Sequence, residues 1–486
     1  MNPLSKLEPS IVWSYFNDIC KVPRPSKKEE KMILFLEEFA REYNLDYKKD
    51  EIGNVLISKP ATNGFKDVKP VLLQSHIDMV CEKNADVRHN FEHDPIVPVV
   101  DGEWVKAAGT TLGADDGIGV AAQLALLASK DIEHGPIECL FTVDEETGLT
   151  GAYNLNDDFF ESKILLNLDS EDDGELFIGC AGGIDTVATF DMQLTETPAN
   201  YFAFKVEVSG LKGGHSGDDI DKGLGNANKI LNRFLWQTTR DLDLKIHHLD
   251  GGNLRNAIAR EASAIALVPI EKKEAIRVTF NIFYDELSSE LEVTDSGLKM
   301  HLESCDLPDT IYEAGFQDAV LNSLYACPHG VIEMSRKIEG LVETSTNLAS
   351  VKQNADSLIV TTSQRSSVET AKENVAAMVR SVFELAQAEV VHGEGYPGWA
   401  PNMNSEILDI TRDSYKRLFN EEPVVRAIHA GLECGLFLEK YPGLDMISFG
   451  PTIRGAHSPD ERINIETVRK FWIHLQDVLK NIPTQN

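Results

Sequence analysis

Residues 113–146 read GADDGIGVAAQLALLASKDIEHGPIECLFTVDEE, and this stretch decides the fold. Its segment 117–128 (GIGVAAQLALLA) is apolar nearly all round, which predicts a helix buried on every side. The run that follows it, 137–143 (IECLFTV), is continuously apolar rather than alternating, the pattern of a strand covered on both faces. Runs of the same kind stand at 55–57 (VLI), 71–73 (VLL) and 164–168 (ILLNL). Strands of this type with helices between them predict an α/β sheet with helices on both faces.

Outward from this stretch, Ser26 and Glu29 read as a capping box. They precede apolar residues at 32, 33, 36, 39, 40 and 43, a helical period. Near residue 186 the pattern changes. Phe202, Phe204, Val206 and Val208 alternate with other residues, as do Leu242, Leu244 and Ile246, and 276–283 (IRVTFNIF) also reads as a strand. Helices are predicted at about 223–238, 286–303 and 367–389, so this part reads as an α+β module with one exposed sheet face. After the Gly/Pro-rich link GEGYPGWAPN, near 395, helix 405–418, strands 424–428 and 446–449 and helix 465–480 follow, the last with Asn464 as its N-cap. The pattern predicts a smaller domain inserted into a larger one.

The 486 residues predict two or three domains with ample length for a large core. At 42% hydrophobic and 26% charged the chain is globular rather than disordered. Its formal net charge of −32 would repel phosphate backbones and anionic lipid heads, so neither a nucleic acid nor a membrane surface is an expected partner. It has no apolar run of transmembrane length and no signal-peptide pattern at MNPLSKLEPSIVWSYFNDIC. Its seven scattered cysteines never fall in C-x-x-C spacing. Reduced thiols in the cytoplasm are therefore expected.

Five short segments concentrate acids and imidazoles: Gln74–Asp78, Gly113–Gly117, Asp144–Gly148, Asn167–Glu171 and Gly455–Pro459. Four of them follow predicted strands, where open α/β sheets collect function. His and carboxylate without Cys is the ligand set of catalytic Zn, Mn or Co. His76 and Asp78, two apart, project to one side of a strand, so His76 could ligate while Asp78 steadies its ring. Asp115 and Asp116 could cap the buried helix, or one of them could bridge two cations. Glu145 and Glu146 are either a solvated acidic loop or a ligand beside a general base, because two buried like charges need cations.

HIDM, GADDG, DEETG, NLDSE and GAHSPDE, in that order, resemble the five metal-site signatures of the M20 metallopeptidases. The likeness extends to GLKGGHSGDDID (210–221), GGNLRNAIAR (251–260), SQRSS (363–367) and HAGLECG (429–435). It is strongest to the dipeptidases that cleave carnosine-type Xaa-His substrates. The resemblance implies a di-zinc peptidase with a mixed-sheet α/β catalytic domain, 1–186 plus 396–486, and an inserted α+β lid and dimerisation domain, 187–395. It implies two Zn2+ per subunit, with Co2+ or Mn2+ able to substitute, a dipeptide substrate and a homodimer formed through the lid. Asp115 would bridge the metals, His76 and Asp169 would complete one site, and Glu146 and His457 the other. Glu145 would be the general base and Asp78 the partner of His76, with a cis Asp115–Asp116 bond. His215 would steady the oxyanion from the partner subunit, and Asn256 and Arg365 would bind substrate, Arg365 at its terminal carboxylate. Family carboxypeptidases and deacylases tend to carry Glu at the place of Asp169, so Asp there implies the dipeptidase and aminopeptidase branch. An M20 deacylase of N-acyl amino acids is the alternative. Glu433 is a candidate to meet the substrate's free amine.

Overall fold

A computed structural model describes residues 3–485 of the chain. They form two compact units. One comprises residues up to Gly179, Pro401–Ala427 and Leu432 onward; the other comprises Cys180–Ala400 and Ile428–Gly431. The chain thus changes unit near 180 and 400 rather than at 186 and 396, and 428–431 goes with the second unit. The shift has a simple cause: the strand Gly182–Asp191 pairs along its whole length with Ser357–Ser366, deep in the second unit's sheet.

The first unit is built on a mixed eight-stranded sheet. Its order is Asp46–Lys49, Val55–Lys59, Ile137–Thr142, Val71–His76, Ile164–Asn167, Asp445–Ser448, Glu175–Cys180, Val424–Ile428. The middle strands, from Ile137–Thr142 to Asp445–Ser448, run parallel, and their side chains are buried on both faces, as continuous apolar runs require. The apolar helix is Ala114–Ala128; Ile118, Val120, Leu124 and Leu126 are buried, and it packs on helix Ser10–Ile19 and strand Val71–His76. Gly119 permits that contact: a Cβ there would stand 2.4 Å from Ser75 Oγ. The closing helix Ile465–Lys480 is capped as expected, Thr467 N donating to the Asn464 side chain at 3.1 Å.

The second unit is an antiparallel nine-stranded sheet with the long helices Ala227–Leu242, Lys273–Glu290, Ala314–Ala326 and Glu369–Leu385. Here two expectations fail. The 276–283 stretch is helix, not strand, and the helix expected over 286–303 gives way to the strand Lys299–Ser304. Ile276, Phe280, Phe283 and Leu287 form its buried stripe, a helical period that the local alternation concealed. The Ser26–Glu29 capping box also fails, for Glu29 makes no side-chain cap at helix Glu30–Glu42. Both side chains are engaged elsewhere, Ser26 Oγ donating to Asp78 and Glu29 accepting from Asp144 N.

Candidate metal centre

Parallel pairing sets the strand ends side by side. His76 is in register with Thr142, and Gln74 faces both Leu140 and Asn167. Each strand then gives its acidic or imidazole group within a few residues of that common edge: His76 and Asp78, Glu145 and Glu146, Asp169. His457 joins them from a turn in which its own φ is 64°.

The seven groups converge. Asp115 Oδ1 lies 3.1 Å from His76 Nε2, and its Oδ2 lies 3.2 Å from His457 Nε2, so one carboxylate spans two imidazoles. Asp169 Oδ1 is 3.6 Å from His76 Nε2, and Glu146 Oε2 is 3.0 Å from His457 Nε2. Donor atoms of His76, Asp115 and Asp169 lie within 4.8 Å of one another, as do those of Asp115, Glu146 and His457, and those of His76, Glu145 and Glu146. The two residues of the Asp pair face different ways. Asp115 turns to the histidines, while Asp116 accepts from Gly119 N at 3.2 Å and caps the helix. The bond between them is cis.

Asp78 serves two groups at once. Its Oδ1 is 3.3 Å from His76 Nδ1 and accepts from Glu145 N at 3.0 Å, and Oδ2 accepts from Glu146 N and from Ser26 Oγ. It therefore stands against one imidazole while it holds the loop of paired glutamates.

The charge balance is the telling feature. Asp115, Glu146 and Asp169 are largely buried, and among the described residues their ion-pair partners are histidines alone, with no Lys or Arg. Burial raises the Asp169 carboxyl to about 7, Asp115 adding to the rise and His76 opposing it. Burial likewise holds the Glu145 carboxyl well above the usual range, against the pull of His76. Hydrogen bonds to Asp115 and Glu146 push His457 up to about 11. Burial would raise Asp115 as well, but His457 and His76 outweigh it and hold Asp115 far below the carboxylate range. Glu146 Oε1 is buried without a hydrogen-bond partner. So many buried acids in one place are costly unless cations neutralise them. The donor set, oxygen and imidazole without thiolate, fits a pair of divalent cations sharing Asp115.

Two buried residues that the sequence reading passed over hold the Asp115 loop. Arg24 donates to the carbonyls of Ile77, Asp78 and Gly113 at 3.0, 2.6 and 2.5 Å. Glu461 accepts from the backbone N–H groups of Leu112, Gly113, Ala114 and Asp115 at 2.7, 2.9, 2.7 and 3.3 Å. Glu461 closes the GAHSPDE segment, whose local signal is its histidine; Arg24 carries no local signal. Glu461→Gln would turn an amide NH2 towards donors, leaving buried N–H groups unpaired at about 1–3 kcal/mol each. Metal affinity is expected to fall about 10–100-fold, as for other supports of metal ligands, read as metal retained after dialysis against a chelator.

His215, Asn256 and Arg365 belong to the second unit, which gathers them with one another. Ser216 N, next to His215, donates to Asn256 O at 2.9 Å, and His215 bridges to Ala257. Asn347 steadies the same loop through Ala257 O at 2.8 Å. Arg365, on the strand Ser357–Ser366, is 7% exposed and donates from Nη1 to the Tyr396 hydroxyl at 3.1 Å, while its Nε is buried without a partner. His215 draws the Asp218 carboxyl down, with Arg365 and His429 acting in the same sense.

Residues 72–481 match Peptidase family M20/M25/M40. The chain is 44% identical over 485 residues to the cytosol non-specific dipeptidase of Escherichia coli (strain K12), covering 100% of both. The crystal structure of an aminoacylhistidine dipeptidase from Vibrio alginolyticus matches with a TM-score of 0.92 at 45% identity over 99% of each chain. A tripeptidase from Staphylococcus aureus shares the fold alone, at a TM-score of 0.58 and 17% identity, covering 98% of this chain and 99% of that one. The family match takes in all five acid and imidazole segments that meet at the centre. On that coverage, and on the full-length identity to the Escherichia coli protein, the chain belongs to peptidase family M20/M25/M40.

Proposed function

We propose that the chain is a metallo-dipeptidase that hydrolyses the single peptide bond of dipeptides, Xaa-His substrates included. The observation that carries this reading is the Asp115 carboxylate shared between His76 and His457, each with a second acid of its own, Asp169 and Glu146. Asp169 in that place, rather than Glu, favours the dipeptidase branch. The similarity to the Escherichia coli and Vibrio dipeptidases supports it.

His76, Asp115 and Asp169 would hold one divalent cation, and Asp115, Glu146 and His457 the other, with zinc the proposed metal and cobalt or manganese able to replace it. When bound, such a pair acidifies water and polarises the scissile carbonyl. Glu145 takes the proton from the attacking water and passes it to the leaving amine. Asp78 keeps the His76 ring oriented through Nδ1. Arg365 offers the substrate carboxylate the Nε edge of its guanidinium, because Tyr396 occupies Nη1. That clamp sets substrate length. Asn256 binds substrate beside it, and His215 donates to the developing oxyanion from the partner subunit of a homodimer joined through the second unit. No disulfide joins any of the seven cysteines, in keeping with a cytosolic enzyme.

The test is a substrate panel assayed after chelation and metal add-back. Dipeptides, carnosine among them, are expected to turn over with metal and not without it. An N-acetyl amino acid turning over faster than any dipeptide would replace this reading with a deacylase.

A further inference from the structure

Beneath the candidate centre runs a row of buried polar side chains that the reaction does not use. Gln74, Thr142 and Asn167 lie on adjacent parallel strands and are each 0% exposed, on strands that also carry the buried Leu73, Leu140, Phe141 and Leu166. They are bonded to one another. Asn167 Nδ2 donates to Gln74 Oε1 at 2.6 Å, and Gln74 Nε2 donates to Thr142 Oγ1 at 3.1 Å. The row ends on a residue from a distant segment, Glu433, which precedes the helix Cys434–Lys440. Glu433 Oε2 accepts from Gln74 Nε2 at 2.6 Å and from Thr142 Oγ1 at 2.8 Å. At the other end, Asn167 Oδ1 accepts from Asp169 N at 3.3 Å.

Two features show what this row can do. Gln74 stands two residues before His76, and Asn167 two residues before Asp169, so the row grips the strands just short of those groups. Glu433 itself is 1% exposed, and its free oxygen, Oε1, is buried without a partner. A buried acid with an unpaired oxygen is a stability cost that an apolar residue would avoid. The loop bearing Glu146 has separate supports, Asp78 to Glu146 N and Glu29 to Asp144 N.

We propose that Glu433 is a positioning residue that, through Gln74, Thr142 and Asn167, sets the affinity of one metal position, that of His76, Asp115 and Asp169, and not of the other. The inference rests on the di-metal reading above. Without the Glu433 acceptor, Gln74 and Thr142 keep donors with no partner of equal quality, and the strand ends presenting His76 and Asp169 lose their fixed spacing.

The metal-free protein is titrated with zinc in competition with a chromophoric chelator. Wild type is expected to take two equivalents. Glu433→Leu is expected to weaken one of them about 10–100-fold, the range for lost supports of metal ligands, and leave the other unchanged. Glu433→Gln, which keeps an acceptor oxygen, is expected to restore wild-type binding. Thr142→Val, close in shape, is expected to weaken the same equivalent, and it carries the test if Glu433→Leu does not fold. Adding Glu433→Leu to Asp169→Asn should cost no further metal, whereas adding it to His457→Ala should. Equal weakening of both equivalents, no weakening, or a glutamine variant as poor as leucine overturns the proposal. So does a change confined to the KM of dipeptides, which would make Glu433 a substrate contact. A wild-type chain that takes up no zinc would instead overturn the metal centre itself.

Discussion

Glu145→Gln is expected to abolish turnover of dipeptides while leaving the metals in place. The variant keeps the shape and burial of the side chain and removes its ability to accept and return a proton. General acid–base catalysis by a placed side chain contributes about 10²–10⁴-fold. Loss of both the proton abstraction and its return should fall at the upper end of that range, roughly 5 kcal/mol of barrier. Burial raises the Glu145 carboxyl well above the usual range even though His76 opposes the rise, the direction in which a general base is tuned. Its donor atoms also lie within 4.8 Å of those of His76 and Glu146, so the geometry alone would let it serve as a ligand. Two measurements on the same sample separate the roles: kcat/KM on a dipeptide, and metal content by atomic absorption. Activity in the wild-type range would mean that another group moves the proton. Activity and metal lost together would make Glu145 a ligand.

The first unit is legible because its signals are local. Continuous apolar runs gave the central strands, and the acid and imidazole groups sit within a few residues of where those runs end, so a reader of the chain meets strand and chemistry together. Parallel pairing then does what no local pattern states: it aligns His76 with Thr142 and Gln74 with Asn167, and so brings three of the five segments to one edge. What the sequence hid has two physical causes. In the first, a residue's partner is remote. Ser26 and Glu29 have the types of a capping box, yet Asp78 and Asp144, some fifty to over a hundred residues away, compete for them and win. Arg24 and Glu461 act on the backbone of the Asp115 loop, and a bond to a carbonyl or an N–H leaves no mark on the partner's side chain. In the second, periodicity is ambiguous over a short window. IRVTFNIF alternates well enough for a strand, and the longer stripe through Leu287 is needed to see the helix. The second unit shows the first effect again: a motif marks Arg365, whereas nothing local marks Tyr396, which orients it.

Asp115→Ala is expected to remove both metals at once, where His457→Ala removes one. The two oxygens of Asp115 face different imidazoles, Oδ1 to His76 and Oδ2 to His457, so neither cation position is complete without it. His457, by contrast, belongs to one triad only, that of Asp115 and Glu146. If the two positions were independent, each ligand variant would cost one equivalent and the losses would add. A shared carboxylate makes them non-additive: after Asp115→Ala, a further His457→Ala has nothing left to remove, a coupling of the kind double-mutant cycles measure. The loss also has an electrostatic side. With one bridging acid gone, the remaining carboxylates have no group that both cations can approach together, and the repulsion between two divalent ions goes unscreened. Dipeptide turnover should then disappear, since water activation by a metal and polarisation of the carbonyl fail together. Zinc stoichiometry is the decisive measurement, because it reads the sharing directly. Asp115→Ala protein that keeps one tightly held zinc would show that Asp115 serves a single position, and the bridging arrangement would have to be abandoned.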